Sequence, residues 1–264
     1  MKSCSILISN YNSFEAIQLC VESVRKYTRY PHKIIVCNDK CINGVDDIYL
    51  RECRDKGWLE LYESGRHLTH GGSLNVLLNE LCTTDYAAII DSDTQIKGEG
   101  WLQDLINLAE TDPKIIVISD YKHEGITPYG YRTGFYTLWF GLLNMNAYRD
   151  EMQVDWMIEQ TTRDKKPYQQ LFSYLTGIPK PDTFNDNLVL NDPGSKLWLK
   201  VNYDNPKGYR AIPIPQELRA KYRHYGHISM ISIPHPSHSD QVRKNREERF
   251  AIIKSELLRL RCQR

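Results

Sequence analysis

Through the first 120 residues, short apolar runs alternate with stretches whose apolar positions recur at helical spacing. Residues 5–9 (Ser-Ile-Leu-Ile-Ser) read as a first strand, 33–37 as a second and 59–62 as a third. Tyr86-Ala87-Ala88-Ile89-Ile90 forms a fourth that stops at Asp91, and 114–119 a fifth. Between them, Ala16, Ile17, Cys20, Val21 and Val24 share one side of a helix over 14–28. Further helices are expected over 45–56, over 71–81 with Leu74, Leu77, Leu78 and Leu81 aligned, and over 101–109. Strands that are apolar at every position are buried on both faces, as in a parallel sheet covered by helices. The alternation therefore predicts an α/β fold with a mostly parallel central sheet flanked by helices.

The pattern loosens after residue 120. Residues 135–145 are apolar and aromatic-rich, which suits a strand or another buried element. Ile178-Pro179-Lys180-Pro181-Asp182 and Asn191-Asp192-Pro193-Gly194 are turn signals. Residues 196–201 suit one or two turns of helix and 208–214 a strand. A terminal helix is expected over 241–264, with Phe250, Ile253, Leu257 and Leu260 along one stripe. Its other face is basic: Arg243, Lys244, Arg246, Arg249, Lys254, Arg259, Arg261 and Arg264. The chain thus divides into a regular half (1–120), a less regular half of the same domain (121–240) and a terminal amphipathic helix (241–264).

Composition narrows this picture only modestly. At 264 residues, 41% apolar and 25% charged, the chain is an ordinary globular one. A formal net charge of +1 gives no global argument for nucleic acid or membrane. No apolar run approaches the roughly 18 residues that span a bilayer. Met1-Lys2-Ser3-Cys4 leads straight into a strand without a secretory leader. The seven cysteines are scattered and include no Cys-x-x-Cys pair, a pattern of reduced cytosolic thiols. Cys20, Cys37 and Cys82 fall on apolar faces and read as core. The expected location is cytoplasmic, free or held at a membrane through the terminal helix.

The chemistry concentrates where the fourth strand ends, in Asp91-Ser92-Asp93. Strand termini at the carboxyl edge of an open α/β sheet are where ligands bind. Two carboxylates about 4 Å apart repel by roughly 4 kcal/mol at an effective dielectric near 20. A divalent cation removes that penalty, and hard oxygen ligands suit magnesium, manganese or calcium. The first strand ends in Ser9-Asn10-Tyr11-Asn12, with an aromatic ring on which a base could stack. The second ends in Asn38-Asp39, an acceptor for base N–H groups or ribose hydroxyls. Far downstream, Tyr222-Arg223-His224-Tyr225-Gly226-His227 offers imidazoles that could complete a metal shell.

Taken in order, these residues resemble the GT-A fold glycosyltransferases, in particular the inverting family 2. Residues 5–12 look like that family's first strand and tip, and residues 32–39 like its second. That strand usually ends in two acidic residues; here Asn38 stands first, so Asp39 alone would contact base or ribose. His70-Gly71-Gly72-Ser73-Leu74-Asn75 is similar to the helix start before the metal strand. There Gly72 and Asn75 would let backbone approach the nucleotide diphosphate. Asp91-Ser92-Asp93 matches the Asp-x-Asp motif, and Gly98-Glu99-Gly100-Trp101-Leu102 resembles the loop and helix that follow.

The resemblance implies a GT-A, Rossmann-like fold and a nucleotide-sugar donor, a UDP-sugar by preference, with Mn2+ or Mg2+ as cofactor. Asp93 would bind the metal directly, Asp91 would hold the ribose or the metal through water, and Ser92 would line the donor site. His224 is the third ligand expected, with His227 close enough to exchange roles, while His235 and His238 belong to a closing loop. The family's catalytic carboxylate lies in a Glu-Asp pair followed by a helix, a Gly-aromatic-basic strand and a histidine. Asn191-Asp192, residues 196–201, Gly208-Tyr209-Arg210 and His224 repeat that order, so Asp192 is the base expected and Asp155 the competing choice. Residues 129–140 suit either the acceptor side or plain core.

The implied acceptor is a glycan or a lipid-linked saccharide. The terminal helix either packs its stripe on the body or lies on an anionic membrane surface. A nucleic-acid acceptor is conceivable from the basic face, but no recognised motif supports it. A nucleotidyltransferase and an inactive nucleotide-sugar-binding protein are the alternatives. The first of these needs a Gly-rich basic loop after strand one, which Asn10-Tyr11-Asn12-Ser13 does not supply.

Overall fold

The apolar runs of the first half become strands, and side-chain parity sorts their residues onto two faces. The computed structural model describes residues 2–41, 44–126, 132–157, 193–226 and 240–263. Strands β1 (Cys4–Asn10), β2 (Lys33–Asn38), β3 (Glu60–Glu63), β4 (Tyr86–Asp91), β6 (Ile115–Ile126), β7 (Arg132–Asn144) and β8 (Arg210–Ile212) form one sheet. Its order is β3-β2-β1-β4-β7-β6-β8. β7 runs antiparallel to both neighbours, and every other pair is parallel. The expected fifth strand over 114–119 is therefore longer than its apolar run and does not adjoin β4, because β7 inserts between them. β6 also crosses residue 120, so both halves of the chain share the sheet. A second, two-stranded sheet pairs β5 (Thr94–Ile96) with β9 (Tyr222–His224).

Alternate residues of β1, β2 and β4 face opposite ways. Ile6, Ile8, Ile34, Val36, Ala88 and Ile90 pack with helix α1 (Glu15–Tyr27) and helix α4 (Trp101–Glu110). Leu7, Ile35, Cys37, Ala87 and Ile89 face the other way, onto helix α3 (Thr69–Leu74) and its continuation. Helix α2 (Val45–Asp55) lies between β2 and β3 in the chain. After β7 come α5 (Met145–Ala147) with a π-helical turn at Tyr148–Met152, then α6 (Ser195–Tyr203) and α7 (Gln216–Arg219). Cys20, Cys37 and Cys82 are buried, and all seven cysteines are free thiols.

One expected helix differs in form. The 71–81 segment begins at Thr69 as α3 and widens into a π-helix over Asn75–Leu81. The small residues at its start admit the chain at residues 156–157. A Cβ on Gly71 would lie 2.2 Å from the Trp156 carbonyl oxygen, and one on Gly72 would lie 3.4 Å from Met157 Sδ. Asn75 closes the same contact, since its Nδ2 donates to Asp155 Oδ1 at 2.6 Å and its Oδ1 accepts from Trp156 N–H at 2.9 Å.

The terminal helix α8 (Asp240–Cys262) packs on the body. Ile253, Leu257 and Leu260 are buried against Ala16 and Leu19 of α1, and the Phe250 ring meets Phe14 at 6.0 Å. The expected solvated basic face is partly consumed. Lys254 Nζ lies 3.3 Å from Glu15, Arg261 lies 2.8 Å from the buried Glu22, and Arg249 bonds backbone carbonyls. Among the described residues no helix is long and apolar enough to cross a membrane.

The Gly71 contact is with main-chain atoms, which cannot rotate away. Gly71→Ala is expected to cost about 1–3 kcal/mol in denaturant unfolding, as overpacking does. Gly65→Ala, at a position with nothing within 4 Å, should stay within about 0.5 kcal/mol of wild type.

Candidate active site

β1 and β4 are hydrogen-bonded neighbours, yet the chain reaches β4 only after running outward through β2 and β3. Such a reversal leaves a crevice beyond the carboxyl ends of the strands. Ser9 pairs with Asp91 in register at that edge. A cleft of about 380 Å³ opens there, lined among others by Ser9, Tyr11, Asp39, Asp91, Ser92 and Asp93.

The opposite wall is carried by β7 and β9. Thr94 of β5 pairs with His224 of β9, and Tyr225 N–H donates to the Asp93 carbonyl at 3.1 Å. The His224 ring stacks on Trp139 of β7, with centroids 5.2 Å apart and planes 7° from parallel. Its Nε2 lies 3.0 Å from Asp93 Oδ1 and 3.5 Å from Asp91 Oδ2. Burial alone would lower the imidazole pKa. The hydrogen bonds to Asp91 and Asp93 outweigh it and push the value up to about 9.

One donor atom from each of Asp91, Asp93 and His224 lies within 4.8 Å of the others. Two hard carboxylate oxygens with one imidazole nitrogen, converging on an open cleft, fit a divalent cation of the manganese or magnesium kind. His70 extends the group, with Nε2 4.0 Å from Asp91 Oδ1.

At the β1–β2 end, Tyr11 faces the cleft and its ring meets His67 at 4.6 Å. Asp39 is almost fully buried and anchors the segment 64–69 that leads from β3 into α3. Its Oδ1 accepts from Leu68 N–H and Lys40 N–H, each at 2.8 Å, and from the Ser64 hydroxyl at 3.1 Å. Its Oδ2 accepts from Thr69 N–H at 3.2 Å and lies 2.6 Å from His67 Nδ1. This carboxylate therefore shapes the cleft wall through bonds to its own chain.

Of the residues expected from sequence, Ser9, Tyr11, Asp39, Asp91, Ser92, Asp93 and His224 share this cleft. Five others among the described residues do not line it. Asn10 is buried behind it and donates to Asn38 Oδ1 at 2.8 Å and Asp46 Oδ2 at 3.2 Å. Asn12 is also buried, and its N–H donates to Cys41 Sγ at 3.3 Å. Parity separates Ser9 from Asn10 within β1, and beyond the strand the chain turns, with Asn12 at φ +46°. Gly72 and Asn75 pack against residues 155–157 instead of opening a path for a diphosphate. Asp155 lies beside them, 3.1 Å from Lys196 Nζ. Asp192, His227, His235 and His238 lie outside the described residues.

Sequence reasoning missed His67 and Thr69 as lining residues, and it had His70, Ser73, Leu138 and Pro193 only as members of longer segments. The two imidazoles carried a usable signal, because His67 and His70 stand between the third strand and the next helix start. The aromatic segment over 129–140 splits between both readings, with Trp139 on the cleft and Tyr136 and Phe140 in the core.

A family model described as Glycosyl transferase family 2 matches residues 5–169. Among solved structures, the chain is similar to the mannosyltransferase PcManGT from Pyrobaculum calidifontis in complex with GDP-Man and Mn2+. The identity is 15% and the TM-score 0.50, over 81% of this chain and 55% of that one. It is likewise similar to S. aureus TarS 1-349, at 15% identity and TM-score 0.50, over 94% of this chain and 71% of that one. The chain thus spans little more than half the length of the P. calidifontis protein. No curated protein matches the chain.

The elevated His224 pKa has a consequence for metal-free protein. A folded value near 9, above the unfolded value of 6.5, gives stability that is complete below about pH 6.5 and is lost as pH rises through about 9. In chelator-treated samples, the melting-temperature gap between wild type and His224→Gln should be widest near pH 6 and shrink towards pH 10. A gap that is constant with pH would show that the ring does not carry the proton.

Proposed function

The chain belongs to glycosyl transferase family 2 and has the GT-A fold, and from that premise we propose that it is a glycosyltransferase whose cleft works as follows. The proposed reaction moves a sugar from a nucleotide-sugar donor to an acceptor hydroxyl with inversion. The observation that carries it is the meeting of Asp91, Asp93 and His224 with Ser9 and Tyr11 at the β1–β4 crevice. The nucleoside would lie against Tyr11, whose ring offers a stacking surface. The diphosphate would lie towards Asp91 and Asp93, with Asp93 as direct ligand and Asp91 serving the ribose or a metal-bound water. A divalent cation held there, Mn2+ or Mg2+, would supply charge neutralisation for the departing nucleoside diphosphate. The P. calidifontis structure holds Mn2+ and GDP-Man, which supports a metal-bound nucleotide-sugar reading. The donor proposed is a UDP-sugar, and a GDP-sugar is the comparison to run beside it.

In the transfer, the acceptor oxygen bonds to the anomeric carbon while the bond to the diphosphate oxygen breaks, and the electron pair leaves with the nucleotide. The acceptor's proton passes to a carboxylate on the opposite sugar face. Asp155 is poorly suited to that role. Burial raises its pKa, but the hydrogen bonds from Asn75, Met157 N–H and Lys196 outweigh this and hold it below the usual carboxylate value. We assign the base to Asp192, whose covalent neighbour Pro193 lines the cleft. A glycan or lipid-linked saccharide is the acceptor proposed, received on the side of Leu138 and Trp139. The apolar stripe of α8 is spent on α1, so a membrane approach through that helix would rest on its exposed basic residues and on Ile252 and Leu258. The cytoplasm is the location proposed.

Two measurements test this reading. In a thermal-shift panel, at least one nucleoside diphosphate should stabilise the protein only when manganese is present, and Asp93→Asn should abolish the shift. No manganese-dependent stabilisation by any nucleoside diphosphate would contradict the proposal. In steady-state transfer, Asp192→Asn should lower kcat by about 10²–10⁴-fold with donor affinity retained, the usual worth of a general base. Asp155→Asn should change kcat by less than about tenfold, and the reverse ranking would move the base to Asp155.

A further inference from the structure

His224 reaches the site on a three-residue strand whose ladder, among the described residues, is with the equally short β5. A ligand in a metal shell must be held within about 0.5 Å, more than so short a strand can enforce. Stacking supports one side of it, Tyr222 on Phe140 with centroids 3.7 Å apart and His224 on Trp139. The other side is held by the terminal helix.

Arg249 of α8 directs Nη1 at the two carbonyls that follow His224, donating to Tyr225 O at 2.9 Å and Gly226 O at 3.1 Å. Gly226 turns the chain there with φ +69°, a backbone conformation that a side chain would strain. A Cβ at that glycine would lie 3.4 Å from Arg249 Nη1 and 3.7 Å from His224 Cε1, so guanidinium and imidazole flank the same turn. The Tyr225 ring is buried among Ala16, Leu19, Ile253, Leu257 and Leu260, between α1 and α8. Its hydroxyl donates to Gln95 Oε1 at 2.8 Å, and Gln95 Nε2 donates to Glu256 Oε2 of α8 at 3.3 Å. The helix therefore grips the residue after His224 twice, at its main chain and at its side chain.

We propose that α8 is a latch for the metal site, with Arg249 the positioning residue that fixes the His224 turn against Asp91 and Asp93. The helix lies beyond residue 169, where the family match ends. The proposal rests on the divalent-cation reading above, and part of its test is independent of metal. Groups behind a metal ligand typically contribute 10–100-fold in metal affinity.

Two readouts on the full chain decide it. In metal-free protein, Arg249→Ala should speed hydrogen exchange of the Tyr225 amide, which donates to Asp93 O, about tenfold, with α1 amides unchanged. In manganese titrations followed by the EPR signal of free Mn2+, with and without UDP or GDP, Arg249→Ala should weaken affinity about tenfold or more. Arg249→Lys, which keeps a cationic donor, should recover most of both effects. Arg261→Ala, on the same helix but bonded to Glu22 and Gln18, should change neither. Wild-type exchange and wild-type affinity in Arg249→Ala would overturn the latch, as would equal losses in Arg261→Ala. Faster Tyr225 exchange with no manganese bound even by wild type would instead remove the metal reading, and the latch's role with it.

Discussion

Two carboxylates at the end of one buried strand are the constraint to which the surrounding structure responds. With ligand atoms of Asp91, Asp93 and His224 all within 4.8 Å, the two charges repel by several kcal/mol at an effective dielectric near 20. The chain meets this cost with an imidazole from residue 224, set between the two carboxylates. In the proposed reading a divalent cation would take the place of the proton on His224, which would link the pH behaviour of the bare protein to the chemistry of the loaded one.

Delivering His224 requires much of the fold. β7, reversed in the sheet, brings Trp139 and Phe140 to the side of β4, and their rings receive His224 and Tyr222. β5 leaves the Asp-Ser-Asp turn at once to pair with β9. α8 then closes over the back of that pair while its apolar stripe covers α1. Residues close to the amino terminus, at its middle and near its end thus converge on one cluster. Sequence separation is offset by packing among the described parts.

The parts most readable in the sequence were those with strong periodicity. Strands such as 86–91 are buried on both faces and appear as unbroken apolar runs, and α1 shows its stripe plainly. The stripe of α8 was equally clear, because three of its four expected residues, Ile253, Leu257 and Leu260, are buried on α1. β5 and β9 were not legible, because three residues are too few for a period and their partners lie over a hundred residues apart. The π-helical widening at Asn75 depends on contacts with residues 155–156, which no local pattern encodes. Asp91, Asp93 and His224 stood out by residue type and order, whereas parity within β1 separates Ser9 from Asn10 and the turn beyond the strand separates Tyr11 from Asn12. Asp39 was legible as a strand-end acid, but four of the five bonds that engage it come from residues 64–69 after β3, which no local pattern encodes.

Everything proposed for the cleft depends on a divalent cation among Asp91, Asp93 and His224. Anomalous diffraction at the manganese edge, from crystals grown with Mn2+ and a nucleoside diphosphate, tests it most directly. The account predicts a single strong peak in the cleft, within coordination distance of Asp93 and His224 and beside the diphosphate. A well-ordered nucleotide with no anomalous peak there, or a peak elsewhere with His224 still bonded to both carboxylates, would contradict it.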